Sequence, residues 1–330
     1  MNIPSWVWIA TIAVLAVALA VDVFVIGRRP HEPTLRESTV AVVFFVSMAV
    51  VFGLGVLVFS GSQYAGEFYA GWLTEYALSV DNLFIFIIIM SRFAVPRELQ
   101  QTVLLIGIIL ALVFRGIFIA LGAAAINNFS WVFYLFGAFL VYTAIGLFRQ
   151  GEMDEGDYKE NRLITWTKRA VPMVDHFEGT KVTIRQAGKR LFTPMLVVMI
   201  AIGSTDILFA LDSIPAIYGL TSEPYLVFTA NVFALMGLRQ LYFLLGGLLQ
   251  RLIYLTYGLS LILAFIGVKL VLEALHLNEL GFINGGDPVP WAPEIPIWLS
   301  LTVIIGTLVL TAVLSLWKTA RDEQATATPT

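Results

Sequence analysis

The chain alternates long apolar runs with short polar segments, and the runs have the length that a lipid bilayer demands. A spanning helix needs about 20 predominantly apolar residues. Nine runs approach or exceed that length, at 6–27, 39–59, 71–90, 102–122, 130–148, 194–219, 225–247, 254–275 and 297–317. The pattern therefore predicts an all-α polytopic membrane protein of about nine transmembrane helices. No Lys or Arg precedes the first run, unlike the charged start of a cleaved signal peptide, so this helix is expected to be retained. The polar segments carry a second signal. Arg28, Arg29, Arg36, Arg92, Arg97, Arg149, Arg251, Lys318, Arg321 and the basic residues between Lys159 and Arg190 all fall on one set of alternating loops. Loops 60–70, 123–129, 220–224 and 276–296 contain no Lys or Arg, which under the positive-inside rule puts the N-terminus outside and the C-terminus in the cytoplasm.

Composition agrees and narrows the chemistry. The 330 residues are 58% hydrophobic and 13% charged with mean hydropathy +0.85, whereas soluble domains average about 45–50% and 25%. A net charge of −3 offers no basic surface for nucleic acid. There is no cysteine, so disulfides, thiolate metal sites and thiol redox chemistry within the chain are excluded. The 149–193 segment, cytoplasmic in this topology, reads as a linker between two halves or as a partner-binding element, and 181–191 has the alternation of a small hairpin.

Against this background two stretches are anomalous. Residues 204–216 hold Asp206, Asp212 and Pro215 inside an apolar run, and 75–82 repeat the same grammar with Glu75, Asp81 and Asn82. An acid at the centre of a spanning helix costs about 2.5 to 3.5 kcal/mol, so each pair requires a partner, a cation or water. The helices that follow also match. Arg115 precedes Gly122 as Arg239 precedes Gly246, and Tyr134 with Gly137 and Gly146 parallels Tyr254 with Gly258 and Gly267. The expectation is an inverted 3+3 helix repeat. It divides the chain into two peripheral helices (1–70), a first repeat (71–148), the loop (149–193), a second, inverted repeat (194–275), and an outer loop, last helix and tail (276–330).

Six residues rise about 9 Å in a helix, so Asp206 and Asp212 cannot both touch one ion, and the pairing must cross the repeats. The spacing points to a central cage of Asp81, Asn82, Asp212 and Ser213, with Glu75 at the outer approach and Asp206 at the cytoplasmic one. An unwinding near Pro215 would free carbonyls to complete the shell. All these ligands are oxygen, which suits Mn²⁺, Mg²⁺ or Ca²⁺, and the carboxylates can also carry protons. The alternative for Asp81 and Asp212 is a structural ion pair with Arg115 or Arg239. Those two arginines read foremost as braces, Lys269 and Glu273 as a pair within one helix, and Asn231 and Gln240 as interhelical hydrogen-bonding groups.

The 75–82 and 205–217 motifs, with 228–239 and 175–179, resemble the TerC family, named for tellurium resistance and grouped with LysE-type transporters. The resemblance implies a bacterial inner-membrane protein that exports manganese, with no enzymatic activity and no prosthetic group. It places the intramembrane acids on Glu75, Asp81, Asp206 and Asp212. It departs from the family pattern at Gly203, where many relatives carry an acid. It also allows a second role, as a membrane assembly or metalation partner of the secretion machinery acting through 149–193.

Overall fold

A computed structural model describes residues 3–27, 34–129, 131–150, 162–186, 189–245 and 252–326. The chain is helical, with α1 (Ser5–Gly27), α2 (Leu35–Ser60), α3 (Ser62–Arg92), α4 (Arg97–Asn128) and α5 (Val132–Gln150) preceding the long loop. The loop holds α6 (Arg162–Ala170) and the hairpin β1 (Thr183–Gln186) and β2 (Lys189–Phe192). After it come α7 (Pro194–Tyr218), α8 (Pro224–Leu235), α9 (Leu238–Leu245), α10 (Leu255–His276) and α11 (Ile297–Thr326). Among the described residues eight spans are long and apolar enough to cross a membrane, α8 and α9 together forming one. Helix α1 is the ninth run, and the apolar stretch described in it, Ser5–Val21, is shorter.

Two expected loops turn out to be helix. Gly61, at φ 96°, is the single residue between α2 and α3, so α3 begins at Ser62 rather than near residue 71. Its first turns keep helical register because Gln63 and Glu67 share one face, Gln63 Nε2 donating to Glu67 Oε1 at 3.2 Å, while Ala65 and Phe68 turn inward. At the other end of the next helix, α4 runs on to Asn128, whose side-chain amide donates to the Ala124 carbonyl at 2.7 Å.

The Pro215 unwinding does not occur. Helix α7 passes through Pro215 three residues before its end, and the Pro215 carbonyl accepts from Gly219 N–H at 3.0 Å. Pro215 cannot donate to the Leu211 carbonyl, so one ladder bond is lost, but α7 keeps its helical path through it to Tyr218. The break falls in the next span. Helix α8 stops at Leu235 and α9 starts at Leu238, with Gly237 at φ 82° between them. A Cβ there would meet Phe45 Cδ2 at 3.0 Å, so both backbone and space require glycine.

Burial ranks the helices. Within the most apolar window, 89% of the α8–α9 span and 67% of α3 are buried, against 22% of α2 and 17% of α11. The centre is therefore α3 and α8, with α10 (50%) and α7 (44%) next and α2 and α11 outermost. The most extensive pairings are α5 with α10, α4 with α7 and α3 with α8, and α3 also packs on α7. The long loop is no mere linker: Met173, Phe177 and Val182 pack on the cluster formed by α3, α4, α7 and the fully buried Ile164 of α6. Its hairpin pairs Thr183 with Phe192 and Gln186 with Lys189 in antiparallel register.

The α5–α10 crossing is closest at two glycines. A Cβ on Gly137 would lie 2.8 Å from the Gly267 carbonyl oxygen, and one on Gly267 3.0 Å from that of Gly137. Nine residues turn a helix by about half a revolution, so the second glycine of each pair faces elsewhere. Gly146 has open space beside it and Gly258 lies against Thr311 of α11. Gly246 lies outside the described residues. Substitution at the crossing should overpack it, whereas the open position should tolerate the change. We expect Gly137→Ala to destabilise by about 1–3 kcal/mol and Gly146→Ala by less than about 0.5 kcal/mol, measured by equilibrium unfolding in lipid or detergent.

Candidate functional site

In the centre of the bundle, α3 and α7 face each other in antiparallel register. Ile217 packs on Gly71, and the Ser213 side chain lies beside the Glu75 carboxylate. Continued along both helices, this register brings Asn82 to the level of Asp206. The two polar stripes, Glu75 with Asn82 and Asp206 with Ser213, are thus the facing surfaces, and all four residues are buried.

Helix α4 delivers the charge that these acids require. Arg115, 2% exposed, forms an ion pair with Glu75 Oε2 and donates from Nη1 to Asn231 Oδ1 of α8 at 2.7 Å. Asn231 is held in turn by its amide, which donates to the Val227 carbonyl at 3.1 Å. Asp206 of α7 also lies within electrostatic reach of Arg115. One permanently charged guanidinium therefore serves two buried carboxylates on different helices. The arrangement leaves acceptors over. Asp206 Oδ2 and the Ser79 hydroxyl are enclosed with no hydrogen bond, and Glu75 Oε1 and the Ser213 hydroxyl are enclosed side by side without a well-formed one. A buried polar atom without a partner costs about 1–3 kcal/mol, and more when charged.

Asp81 and Asp212 do not join this group. They sit about 100° around their helices from the stripes, and both turn toward α5 and α10. Thr143 of α5 donates to Asp212 Oδ1 at 3.3 Å, and Asp81 lies beside Thr256 of α10. Both are partly accessible, unlike Glu75 and Asp206. Neither is ion-paired with Arg115, whose carboxylate is Glu75. The expected cage of Asp81, Asn82, Asp212 and Ser213 is therefore not formed: Ser213 faces Glu75 and Asn82 lies level with Asp206 in the interior, while Asp81 and Asp212 each meet a hydroxyl, of Thr256 and Thr143 respectively. Among the described residues no three acids or histidines converge closely enough to hold a metal by themselves. Arg239 follows the α8–α9 break and is 6% exposed. Gly203 lies on α7 against Leu110 of α4, 3.6 Å from a Cβ built there.

A feature the sequence reading missed lies where α3 begins and α7 ends. A cavity of about 920 Å³ opens there, lined among others by Glu67, Thr221, Glu223, Lys269, Glu273 and Glu294. Thr221 Oγ1 donates to Glu67 Oε2 at 2.6 Å, and the charge of Lys269 acts on Glu67 as well as on Glu273, its expected partner. Glu67 lies two turns of α3, about 12 Å, from Glu75. The Gly71–Ile217 contact lies between them. The Gln63 and Glu67 spacing was the signal for it, hidden by reading that stretch as a loop.

This is an integral, multi-pass membrane protein whose core buries a carboxylate pair around a single guanidinium. The sequence profile of the integral membrane protein TerC family matches residues 60–323, and the chain belongs to that family. It is 50% identical over 320 residues to an uncharacterized membrane protein, Rv2723, of Mycobacterium tuberculosis, covering 96% of this chain and 80% of that one. It is 37% identical over 311 residues to an uncharacterized membrane protein, STKORF319, of Myxococcus xanthus, covering 94% and 92%. Over 326 residues it is 33% identical to Alx of Escherichia coli K12, whose name describes a membrane-bound redox modulator, covering 96% of each. No solved structure matches the chain.

Removing one partner of a buried ion pair strands the other charge, at a cost of about 3–5 kcal/mol. Glu75→Gln should therefore be strongly destabilised. The double variant Glu75→Gln/Arg115→Met should recover much of the loss, because neither charge then remains. A double-mutant cycle on unfolding free energies checks this, with additive losses as the contrary result.

Proposed function

We propose that this protein transports a divalent cation, manganese(II) foremost, across the bacterial inner membrane. The carrying observation is the enclosed pair Glu75 and Asp206, on two facing helices, each with a carboxylate oxygen that makes no well-formed hydrogen bond. Intramembrane acids that are not fully paired mark ion and proton paths. An ion would meet two levels about 10 Å apart along the facing helices, Glu75 with Ser213 at one and Asp206 with Asn82 at the other, with Asp81 and Asp212 flanking the route beside α5 and α10. That donor set is all oxygen, the preference of Mn²⁺, Mg²⁺ and Ca²⁺. The reciprocal packing of the first three-helix set on the second, α3 with α8 and α4 with α7, supports an inverted repeat with the site between its halves. Carboxylates that bind a cation can equally bind protons, and proton antiport is the coupling we favour. The redox role in the name of Alx, if it extends to this chain, would run through the metal moved, since the chain has no thiol.

In proteoliposomes the wild-type protein should move Mn²⁺, and Asp206→Asn, Asp81→Ala and Asp212→Ala should each lower the rate by at least about tenfold while the protein still inserts. Such a loss corresponds to about 1.4 kcal/mol in the barrier. Unchanged cellular manganese in a deletion strain challenged with the metal would sink the reading.

A second reading, an assembly or metalation partner of the secretion machinery acting through the loop, has an observation of its own. In the hairpin Arg185 pairs directly with Arg190, both exposed, beside the exposed Lys189. Like charges opposite one another destabilise a ladder, and an acidic partner would relieve them. Because the loop base is packed into the core, the informative change is at the tip. Arg185→Glu/Arg190→Glu should leave Mn²⁺ transport within about twofold, a change of under about 0.5 kcal/mol, and abolish co-purification of secretion-machinery components. Retained co-purification counts against this second role.

A further inference from the structure

The transport reading leaves unexplained why a permanent positive charge sits among the very carboxylates that would receive a cation. Arg115 occupies Glu75 Oε2, and no lipid or water-filled space competes for it, since the arginine is 2% exposed and Glu75 is fully enclosed. Its second contact is of a different kind. Asn231 Oδ1, at 2.7 Å, is a neutral acceptor on α8, a helix that contributes no acid to the site. The guanidinium therefore has one anionic anchor, for which a metal ion competes strongly, and one neutral anchor, for which it competes far less. Asp206, across the site on α7, also feels its charge.

We propose that Arg115 is a tethered competitor for the transported cation. It holds Glu75 while the site is empty and gives up that carboxylate, keeping Asn231, when the ion arrives. This rests on the transport reading and sets the strength of binding at that site. With Glu75 and Asp206 ionised, an ion meets one negative charge at each of two levels. Arg115, paired with Glu75 and within electrostatic reach of Asp206, lowers the attraction at both. A carrier needs such a correction, because a site must bind well enough to load and weakly enough to release. Without Arg115 an ion at Glu75 would be held too tightly to leave. The structural alternative, a brace for α3 against α4 and α8, predicts that any change at Arg115 weakens binding.

The test uses the full-length protein in lipid nanodiscs for equilibrium Mn²⁺ binding, read by the electron paramagnetic resonance of the free ion. Reconstituted vesicles supply the transport rate. Arg115→Gln should bind Mn²⁺ about tenfold more tightly, the low end of what removing one like charge at this range does, while its maximal rate falls. Arg115→Lys, which keeps the charge, should bind as the wild type does. Asn231→Leu, which removes the retained anchor and leaves the charge, should bind more weakly. Tightened binding with slowed release in the first variant and the opposite shift in Asn231→Leu support the proposal. Arg115→Gln binding equal to or weaker than wild type overturns it, with transport by the wild type left standing. If Arg115→Gln does not fold, unchanged or tighter binding by Asn231→Leu overturns it instead. Absence of Mn²⁺, Mg²⁺ or Ca²⁺ binding by the wild type removes both this proposal and the reading beneath it.

Discussion

The ion pair between Arg115 and Glu75 is the constraint around which the bundle is arranged. A carboxylate at 0% exposure in an apolar core survives as an ion only beside a fixed positive charge, and a guanidinium survives there only beside an acid. Meeting both needs joins α3 to α4, and the bond to Asn231 joins the pair to α8. Helix α7, carrying Asp206 and Ser213, closes the fourth side. Each of these helices is otherwise apolar, and between apolar helices in lipid there is little hydrophobic force to choose one neighbour over another. The polar contacts supply that choice.

Close packing completes it. Where α5 crosses α10, Gly137 and Gly267 let the two backbones touch, and Ser260 Oγ donates to the Ala144 carbonyl at 2.8 Å a little further along. These helices bring Thr143 and Thr256 to Asp212 and Asp81. The four acids of the two motifs, Glu75, Asp81, Asp206 and Asp212, thus sit in two environments. One pair is locked around a guanidinium, and the other is held by single hydroxyls at a partly accessible face.

Much of this was legible in the sequence. Hydropathy located the spans because lipid tolerates only helices of sufficient length, and alternation located the hairpin. The seven-residue spacing of Glu75 with Asn82 and of Asp206 with Ser213 marked the two facing stripes, since it returns a helix nearly to the same face. What could not be read was partnership. Glu75 and Arg115 lie 40 residues apart and Arg115 and Asn231 lie 116 apart, and nothing local encodes either pairing. The weight given to Asp81 and Asp212 as the central pair came from their motif positions, whereas the helix register turns them aside. Proline misled for a related reason. Pro215 costs α7 one ladder bond without unwinding it, while Gly237 looked like any glycine in an apolar run.

The interruption at Gly237 has a mechanical consequence. An unbroken helix transmits a tilt from end to end, because its ladder of backbone hydrogen bonds resists bending. Here the ladder stops at Leu235 and resumes at Leu238, so the span is two short rods joined at a swivel near mid-height. Asn231 rides on one rod and Arg239 on the other. Reorientation of α8 can carry the anchor of Arg115 without dragging α9, and Phe45, packed on the swivel from α2, is positioned to feel any such turn.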